Sequence, residues 1–576
     1  MILQQLNRDA DALVDLPPPG YDRKPVKWVV HLDSAGTADW PPGRLSGVEG
    51  GDQGKEMLIP YRNRAGIKAP PILLADKRSF TWGLEVDGPR AAGEHERYLE
   101  LLERCARDTG NADVAAVVAF LRSWNANATP LPADFAGGDR TIFLVDGRSP
   151  IADTAVQAFW AREVSGEETD AVVGHCTVCG LHTSLARRLP IPLMGLPARA
   201  GGVQMVSGDL RTAESFGLAE ALSAQICSTC AERAAKAANA LIAGDNTHLH
   251  IGATTYLFWA PKSDFDVVTF LSDPDPGEVK LLLTSPWRSG EFVELDDSPF
   301  HAVAVTVYIA RLAFRSYLDT TVGEVQKSLG TWFSSLEMVS PDGSDGTPLG
   351  IKRILRALYF RQLERIDFRK EQERLLQPAT TALVDAALSG RSLPPWLLHL
   401  AVQRCRFERD VTYPRAALIR AALPDLGGNT LPGLNPDHPD AAYQCGRLLA
   451  LFEQIQLTPP TRGGRPRQIR TTVANRCYGG ASTSPRYVLG SLERLARAHL
   501  GQMRSGNKGA YEALDRRLEE IHSRLEGNFP ACLTAEGQAL FALGFYHERA
   551  DSRRAVQEAV AARNAGDQDD AEGDQE

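Results

Sequence analysis

The segment ALSAQICSTCAERAAKAANALIAG, residues 221–244, combines a helix signal with a metal-ligand signal. Its alanine and leucine spacing predicts an amphipathic helix that ends at Gly244, because glycine commonly follows the last turn. The pair Cys227-Ser-Thr-Cys230 stands near its start. The segment therefore predicts a helix that begins beside two candidate metal ligands.

A second cysteine pair, Cys176-Thr-Val-Cys179, lies upstream of the first. Two CxxC pairs supply the four thiolates of a closed structural zinc site, although the spacer exceeds the usual ribbon spacing. We therefore predict one structural Zn²⁺ in a zinc-ribbon-like insertion over residues 170–235. A closed site leaves no position for a reactive water. Unmetallated thiols or a redox pair are the alternative interpretation.

Around this insertion the sequence alternates between strand and helix signals. The apolar runs VKWVVHLD (26–33), PILLAD (71–76), TIFLVDG (141–147) and TYLFWA (255–260) are short and bounded by Pro, Gly or charge, as strands are. Residues 94–124 have apolar side chains at helical spacing. The N-terminal part is therefore predicted to be mixed α+β.

After Pro299 the pattern changes to long amphipathic segments of helical period. The clearest are AVAVTVYIARLAFRSYL (302–318), EVQKSLGTWFSSLEMV (324–339) and IKRILRALYFRQLERIDFRKEQERLL (351–376). We predict an α+β fold in which a mixed N-terminal domain is followed by an all-α helical bundle.

The domain boundaries expected from these patterns are 1–375 for the N-terminal domain and 376–563 for the C-terminal bundle. Residues 564–576 hold six acids and no base, so we expect a disordered acidic tail.

Composition excludes several classes of protein. The chain has 576 residues with a net charge of −9 and nine cysteines, which is too long and too poor in cysteine for a small disulfide-stapled domain. The N-terminus carries no apolar signal-peptide run and no long uninterrupted apolar stretch follows, so we expect a cytoplasmic protein. The P-loop, HExxH and GxSxG motifs are all absent from the sequence, and we predict no enzyme activity.

Basic residues are clustered despite the acidic total. The first cluster lies among aromatic residues between positions 55 and 82 and suits duplex DNA; its candidate contacts are Lys55, Lys68, Lys77 and Arg78. The second lies in and just after a Pro/Gly-rich loop with few acids and suits a nucleic-acid backbone. Its members are Arg462, Arg465, Arg467, Arg470 and Arg476.

Several blocks of the chain resemble, in order, the large subunit of the type I-C CRISPR Cascade, an RNA-guided DNA surveillance complex. The blocks are MILQQL (1–6), PPPGYDRKPVKWVVHLD (17–33), PPILLADKRSFTWG (70–83), TTYLFWA (254–260), AYQCGRLLALFEQIQ (442–456) and RCYGGASTSPRYVLGSLERLARAHL (476–500).

The resemblance implies a noncatalytic DNA-binding subunit. Its N-terminal domain would read the protospacer-adjacent motif (PAM) on target double-stranded DNA and promote R-loop formation. Its C-terminal bundle would lie near the displaced strand and help recruit the CRISPR helicase-nuclease. The implied partners are the crRNA-loaded backbone and handle-binding subunits, and a small subunit made from the C-terminal portion.

Two positions depart from the family pattern. Lys77 follows Asp76 where the family commonly has an amide side chain that we associate with motif reading, so Asp76 and Lys77 join the candidate PAM contacts. The Cys176–Cys179 pair is also atypical, so the zinc prediction rests on this sequence alone. The alternatives are a zinc-braced HNH-like nuclease and a zinc-stabilised protein scaffold without nucleic-acid contact.

Overall fold

A computed structural model shows two compact units: residues 1–244 together with 305–317, and residues 245–304 together with 318–576. The residues described are 2–45, 54–62, 69–84, 90–165, 172–197, 202–207, 217–284, 296–308, 311–358, 377–423, 432–464 and 469–573. Among them, no helix is both long and apolar enough to span a membrane.

The strands are short in the first unit and longest near residue 310. Their bounds are β1 Tyr21–Val26, β2 Trp28–Leu32, β3 Ala38–Arg44, β4 Lys55–Pro60, β5 Thr141–Val145, β6 Val173–His175, β7 His182–Ser184, β8 His248–Ile251, β9 Thr254–Trp259, β10 Pro299–Tyr308 and β11 Arg311–Thr321.

Helices are found in both units and dominate the second. Those before residue 300 are α1 Ile2–Leu13, α2 Arg78–Trp82, α3 Arg90–Thr109, α4 Ala112–Ser123, α5 Thr154–Ser165, α6 Ser228–Ala243, α7 Val267–Ser272 and α8 Pro276–Thr284. Those after it are α9 Val322–Leu336, α10 Ile351–Leu358, α11 Gln377–Ser389, α12 Pro395–Glu408, α13 Tyr413–Ala422, α14 Ala441–Leu457, α15 Val473–Ala481, α16 Pro485–Gly506, α17 Lys508–Leu525 and α18 Ala535–Gly573.

The core of the first unit is built around Trp82. Strand β2 pairs parallel to β5 and antiparallel to β3, and β1 pairs antiparallel to β4. The Trp82 ring lies 4.9 Å from Trp124 and 5.7 Å from Trp40, measured between ring centroids. Its indole Nε1 donates to Thr141 Oγ1 at 3.1 Å. The indole N–H is therefore satisfied in the interior.

Two local predictions for the first unit are corrected. Residues 71–76, expected to be a strand, form a bend in which Leu74 has a φ of +53° and the Asp76 carboxylate accepts from the Ile72 N–H. The predicted helix over 94–124 is two helices, because Gly110 adopts a φ of +64° and Asn111 caps α4. The strands predicted within 26–33, 141–147 and 255–260 are confirmed as β2, β5 and β9.

The helix predicted over residues 302–318 is wrong, because this segment supplies most of β10 and β11. These strands belong to a four-stranded sheet in the order β11-β10-β9-β8. Residues 300–306 are buried on both faces of β10. The alternating valines of this run favour a pleated strand, since β-branched side chains are stiff at χ1 and pack well across a sheet.

The helical part of the second unit is centred on α14, which packs against α18. A single hydrophobic core includes residues from Leu249 to Tyr546, so strands β8–β10 and helices α7–α10 share it with the later helices. The first compact unit runs to Gly244 and also includes residues 305–317. The functional domain boundary expected at residue 375 stays a prediction. The predicted succession of a mixed N-terminal region and a helical C-terminal region is confirmed.

Two further predictions concern the ends of helices. The segment 351–376 is described only to Leu358, where α10 ends, and the rest lies outside the described residues. The backbone of α18 continues to Gly573, and residues 574–576 lie outside the described residues. The disordered acidic tail over residues 564–576 stays a prediction.

Candidate metal centre and basic surfaces

The first cysteine pair forms a tight knuckle between β6 and β7. Cys176 N donates to the Leu181 carbonyl at 2.9 Å, and Gly180 N donates to the Cys176 carbonyl at 2.8 Å. Gly180 has a φ of +75°, a conformation that favours glycine. The local sequence Cys-Thr-Val-Cys-Gly thus turns both cysteine side chains of the pair to one side.

The second pair lies at the start of α6, with Cys227 as its N-cap residue. The Cys227 N–H points at the sulfur of Cys176 at 3.4 Å, which joins the two knuckles. The four sulfur atoms lie within 4.8 Å of one another, and Cys179 is the only exposed cysteine of this group. Four thiolates around a tetrahedral ion with Zn–S bonds of about 2.3 Å are about 3.8 Å apart, so the arrangement fits one ion.

The sulfur atoms experience different electrostatic environments. Burial opposes ionisation of Cys176, but the backbone N–H groups of Cys179, Cys227 and Val178 lower its pKa to about 6. Burial raises the pKa of Cys227 and of Cys230. Backbone donors directed at one sulfur are typical of a structural site that holds thiolate.

No histidine joins this ligand group among the described residues. His175 instead pairs across the β6–β7 hairpin with His182, with ring centroids 4.9 Å apart. The site therefore offers only thiolates and no open position that His175 would complete.

The four-cysteine cluster is hydrogen-bonded to the N-terminal helix α1. Gln4 Nε2 donates to the Thr177 carbonyl inside the first knuckle at 2.7 Å. Asn7 Nδ2 donates to the Cys230 carbonyl in the second at 3.2 Å, and Arg233 forms an ion pair with Asp11. Side chains of α1 therefore contact both knuckles. No local pattern in the sequence indicates this contact, because the partners are more than 170 residues apart.

Helix α6, which begins at the second cysteine pair, also contacts the chain segment that leads into β1. The Glu232 carboxylate accepts from Gly20 N at 3.0 Å and pairs with Lys236 at 2.5 Å in the interior. The Gly20 carbonyl accepts from Trp160 Nε1 at 2.6 Å. The start of β1 is thus held by Glu232, which follows the second cysteine pair on α6, and by Trp160 of α5.

The predicted PAM contacts fall into different environments. Asp76 is fully buried, and its carboxylate accepts from Ile72 N at 2.7 Å and from Lys77 N at 2.8 Å. The buried carboxylate therefore holds the backbone of Lys77 from the interior, and the contact of Asp76 with DNA stays a prediction. Of the three aromatic residues of this region, Phe80 and Trp82 belong to the core, whereas Tyr61 is half-buried.

Lys77 is exposed immediately after this buried carboxylate. It caps the N-terminus of α2 and forms an isolated antiparallel bridge with Arg140. Arg78 is half-buried and donates to the Phe135 carbonyl at 3.0 Å. Lys55 is exposed at the start of β4, and Lys68 lies outside the described residues.

The predicted arginine series is partly described. Arg462, Arg470 and Arg476 are exposed, whereas Arg465 and Arg467 lie outside the described residues. Arg462 N donates to the carbonyl of Gly506 at 2.8 Å, which places this loop at the end of α16. Arg476 lies on α15.

Comparison with known proteins identifies the family. No curated protein sequence matches the chain significantly. The family model described as CRISPR-associated protein (Cas_Csd1) matches residues 2–553 and so spans nearly the whole chain. In agreement with the ordered sequence blocks and with a mixed first unit followed by helices, the chain belongs to the Csd1 family, the large subunits of the type I-C CRISPR Cascade.

Proposed function

We propose that this chain is the noncatalytic subunit that reads the PAM for an RNA-guided Cascade complex. It would promote R-loop formation, contact the displaced strand and help recruit the helicase-nuclease. The observation that carries the proposal is Lys77, an exposed cation fixed at its backbone by the buried Asp76 carboxylate and by the bridge to Arg140. A short motif needs only a few groove contacts, because guide pairing reads the remaining sequence.

The remaining partners follow from the same proposal. The crRNA-loaded backbone and handle-binding subunits would hold the guide, and a small subunit made from the C-terminal portion would extend the helical part. The positive side chains of Lys55 and Arg78 would interact with the phosphate backbone of the motif duplex. Arg462, Arg470 and Arg476 would face the displaced strand.

The identity of residue 77 bears on which motif is preferred. A lysine ammonium can donate to the O6 and N7 acceptors of guanine, whereas an amide forms a donor–acceptor pair with adenine. We therefore expect Lys77→Ala to weaken binding of the assembled complex to motif-bearing duplex by about 1–3 kcal/mol and to relax motif preference. Lys77→Asn should shift preference towards adenine.

The measurement is target affinity across a library of motif variants at two salt concentrations. Lys262→Ala, which removes an exposed lysine of the second unit, is the matched control and should leave the preference unchanged. A uniform loss across all motifs, with a salt slope lower by about one, would place Lys77 on a phosphate instead. Unchanged affinity and preference would remove Lys77 from the interface.

We also infer that the four cysteines hold one structural Zn²⁺. Bound there, the ion would join the two knuckles and supply no reactive water, because all four positions belong to protein thiolates. Cys176, Cys179, Cys227 and Cys230 would be its ligands. The inference is supported by the mutual distances of the sulfur atoms.

Metal removal should loosen the N-terminal helix. Because Gln4 and Asn7 bond to carbonyls within the knuckles, we expect chelation or Cys179→Ser to increase hydrogen exchange in α1 and leave α4 unchanged. Metal analysis of the purified chain should find about one zinc per chain. A chain that contains almost no zinc, with α1 equally protected before and after chelation, would contradict the metal assignment.

A further inference from the structure

Helix α16 presents one long exposed face. The buried residues between Pro485 and Gly506 form one apolar stripe, from which Leu489, Leu492, Ala496, Leu500 and Met503 enter the core. The exposed side carries Arg486, Arg494 and Arg504 together with Tyr487, and we call these four residues the basic face of α16.

The basic face carries a net positive charge. Glu493 is the only acidic residue in the sequence of α16, and its carboxylate is already engaged by Arg497 at 3.4 Å and by His522 at 3.4 Å. Arg486 uses its Nε to donate to the Phe529 carbonyl, which orients the guanidinium and leaves its other N–H groups outward. The positive charge of this face is therefore complementary to a polyanion.

The surface between these charges is shallow and partly apolar. Side chains added at Gly490 or Gly501 would meet no atom within 4 Å, so a ligand backbone can approach the helix there. Tyr487 is 77% exposed, which is unusual for a large aromatic side chain. An exposed ring beside arginines is the arrangement on which an unpaired base stacks.

The ends of α16 lie next to two of the three described members of the arginine series. Arg462 lies at the C-terminal end of α16, where its N–H donates to Gly506 and where Asn507 Nδ2 donates to the Pro459 carbonyl. At the other end, α15 with Arg476 leads into α16 through a short turn in which Ser484 N donates to the Gly480 carbonyl. Arg486 and Arg504 are separated by about 27 Å along the helix between these ends.

We propose that the basic face of α16 is a track for single-stranded nucleic acid, with phosphates at Arg486, Arg494 and Arg504 and a base stacked on Tyr487. This proposal rests on the proposed function and deepens it, because it assigns the displaced strand to one helix face. Duplex DNA keeps its bases stacked on one another and would leave Tyr487 unused. Acidic protein is the alternative occupant that the experiment must separate.

The first experiment measures binding of a labelled deoxythymidine oligonucleotide to the full chain across a salt series. The triple variant Arg486→Ala, Arg494→Ala, Arg504→Ala should lower the slope of log affinity against log salt by about 2, since each single-strand phosphate contact contributes about 0.7. Tyr487→Ala should reduce affinity about tenfold. Arg516→Ala on α17 removes an exposed arginine away from this face and should change neither value.

The second experiment uses the assembled complex on target duplex and maps nuclease protection of the displaced strand. If the wild-type complex forms no R-loop, the proposed function fails. If it forms one and the triple variant protects the displaced strand equally well, only the α16 track is overturned. Failure of the triple variant to assemble with the other subunits, while the chain alone binds the oligonucleotide normally, would make the face a protein interface and also overturn the track.

Discussion

Replacing Arg447 with alanine should lower the free energy of unfolding of the second unit by about 3–5 kcal/mol. Arg447 lies on α14 and pairs with Glu548 of α18 at 2.9 Å; both side chains are almost completely buried. Removing the guanidinium leaves a buried carboxylate with one remaining partner, Arg517, at 2.5 Å. The loss is large because Glu548 has no access to water in the folded state.

The pair is part of a network that fixes the position of α18. Arg447 also donates to the Gln444 side chain at 2.9 Å and to the Pro436 carbonyl at 3.2 Å. Burial disfavours the charged form of Arg517, but the carboxylates of Glu548 and Asp551 raise its pKa and keep it charged. Each charged group of the network therefore has an opposite charge within contact distance.

The measurement is the denaturant dependence of hydrogen exchange in peptides of α14 and α18, which reports the free energy of unfolding of the second unit separately. The double variant Arg447→Met, Glu548→Gln should recover most of the loss, because it removes both buried charges. Lys508→Ala, which removes a partner from the exposed Lys508–Glu512 pair, should cost less than about 0.5 kcal/mol. A loss below about 1 kcal/mol for Arg447→Ala would show that water reaches Glu548.

Gly446→Ala should destabilise the same unit by about 3 kcal/mol. A β-carbon at Gly446 would lie 2.0 Å from the carbonyl oxygen of Phe541, and one at Gly544 would lie 2.1 Å from that of Tyr443. Both obstacles are backbone atoms, so α14 and α18 can accept a methyl group only by moving apart along their whole contact. Overpacking of this kind costs more than the helix propensity that alanine gains.

Gly501→Ala is the matched control, since an added methyl there meets nothing within 4 Å. Glycine in a helix interior costs about 0.5–1 kcal/mol relative to alanine, so this variant should be slightly more stable than the wild type. A lower free energy of unfolding for Gly446→Ala together with a higher one for Gly501→Ala would establish the close helix crossing. A neutral or stabilising Gly446→Ala would refute it.

Local patterns in the sequence were sufficient to predict the features that depend only on residues close together in the chain. Each CxxC pair forms its knuckle from its own turn, so the spacing of Cys176 and Cys179 already indicated two ligands on one side. The strands β2 and β5 are mostly apolar, and the burial of their apolar residues follows from composition, whereas His31 of β2 is exposed. Ordered blocks across the chain identified the family.

The errors arose where one pattern fits two structures. An apolar run of moderate length satisfies both helical and strand spacing, and the run over 302–318 became β10 and β11 because it pairs beside β9. The run over 71–76 became a bend because the buried Asp76 carboxylate accepts a hydrogen bond from the backbone N–H of Ile72. This local hydrogen bond takes the place of pairing with a neighbouring strand.

The sequence by itself determined the two CxxC pairs, the mixed-then-helical order and the family. Only the tertiary structure decided that α1 contacts both knuckles, that Gly446 and Gly544 form a close crossing, and that Arg462 lies at the end of α16. Each of these features depends on atoms brought together from distant parts of the chain. Residue type and sequence spacing do not specify the distance in space between such segments. The excess of arginine on α16 was visible in the sequence. Only the structure showed which of these side chains are exposed and which residues of the helix are buried in the core.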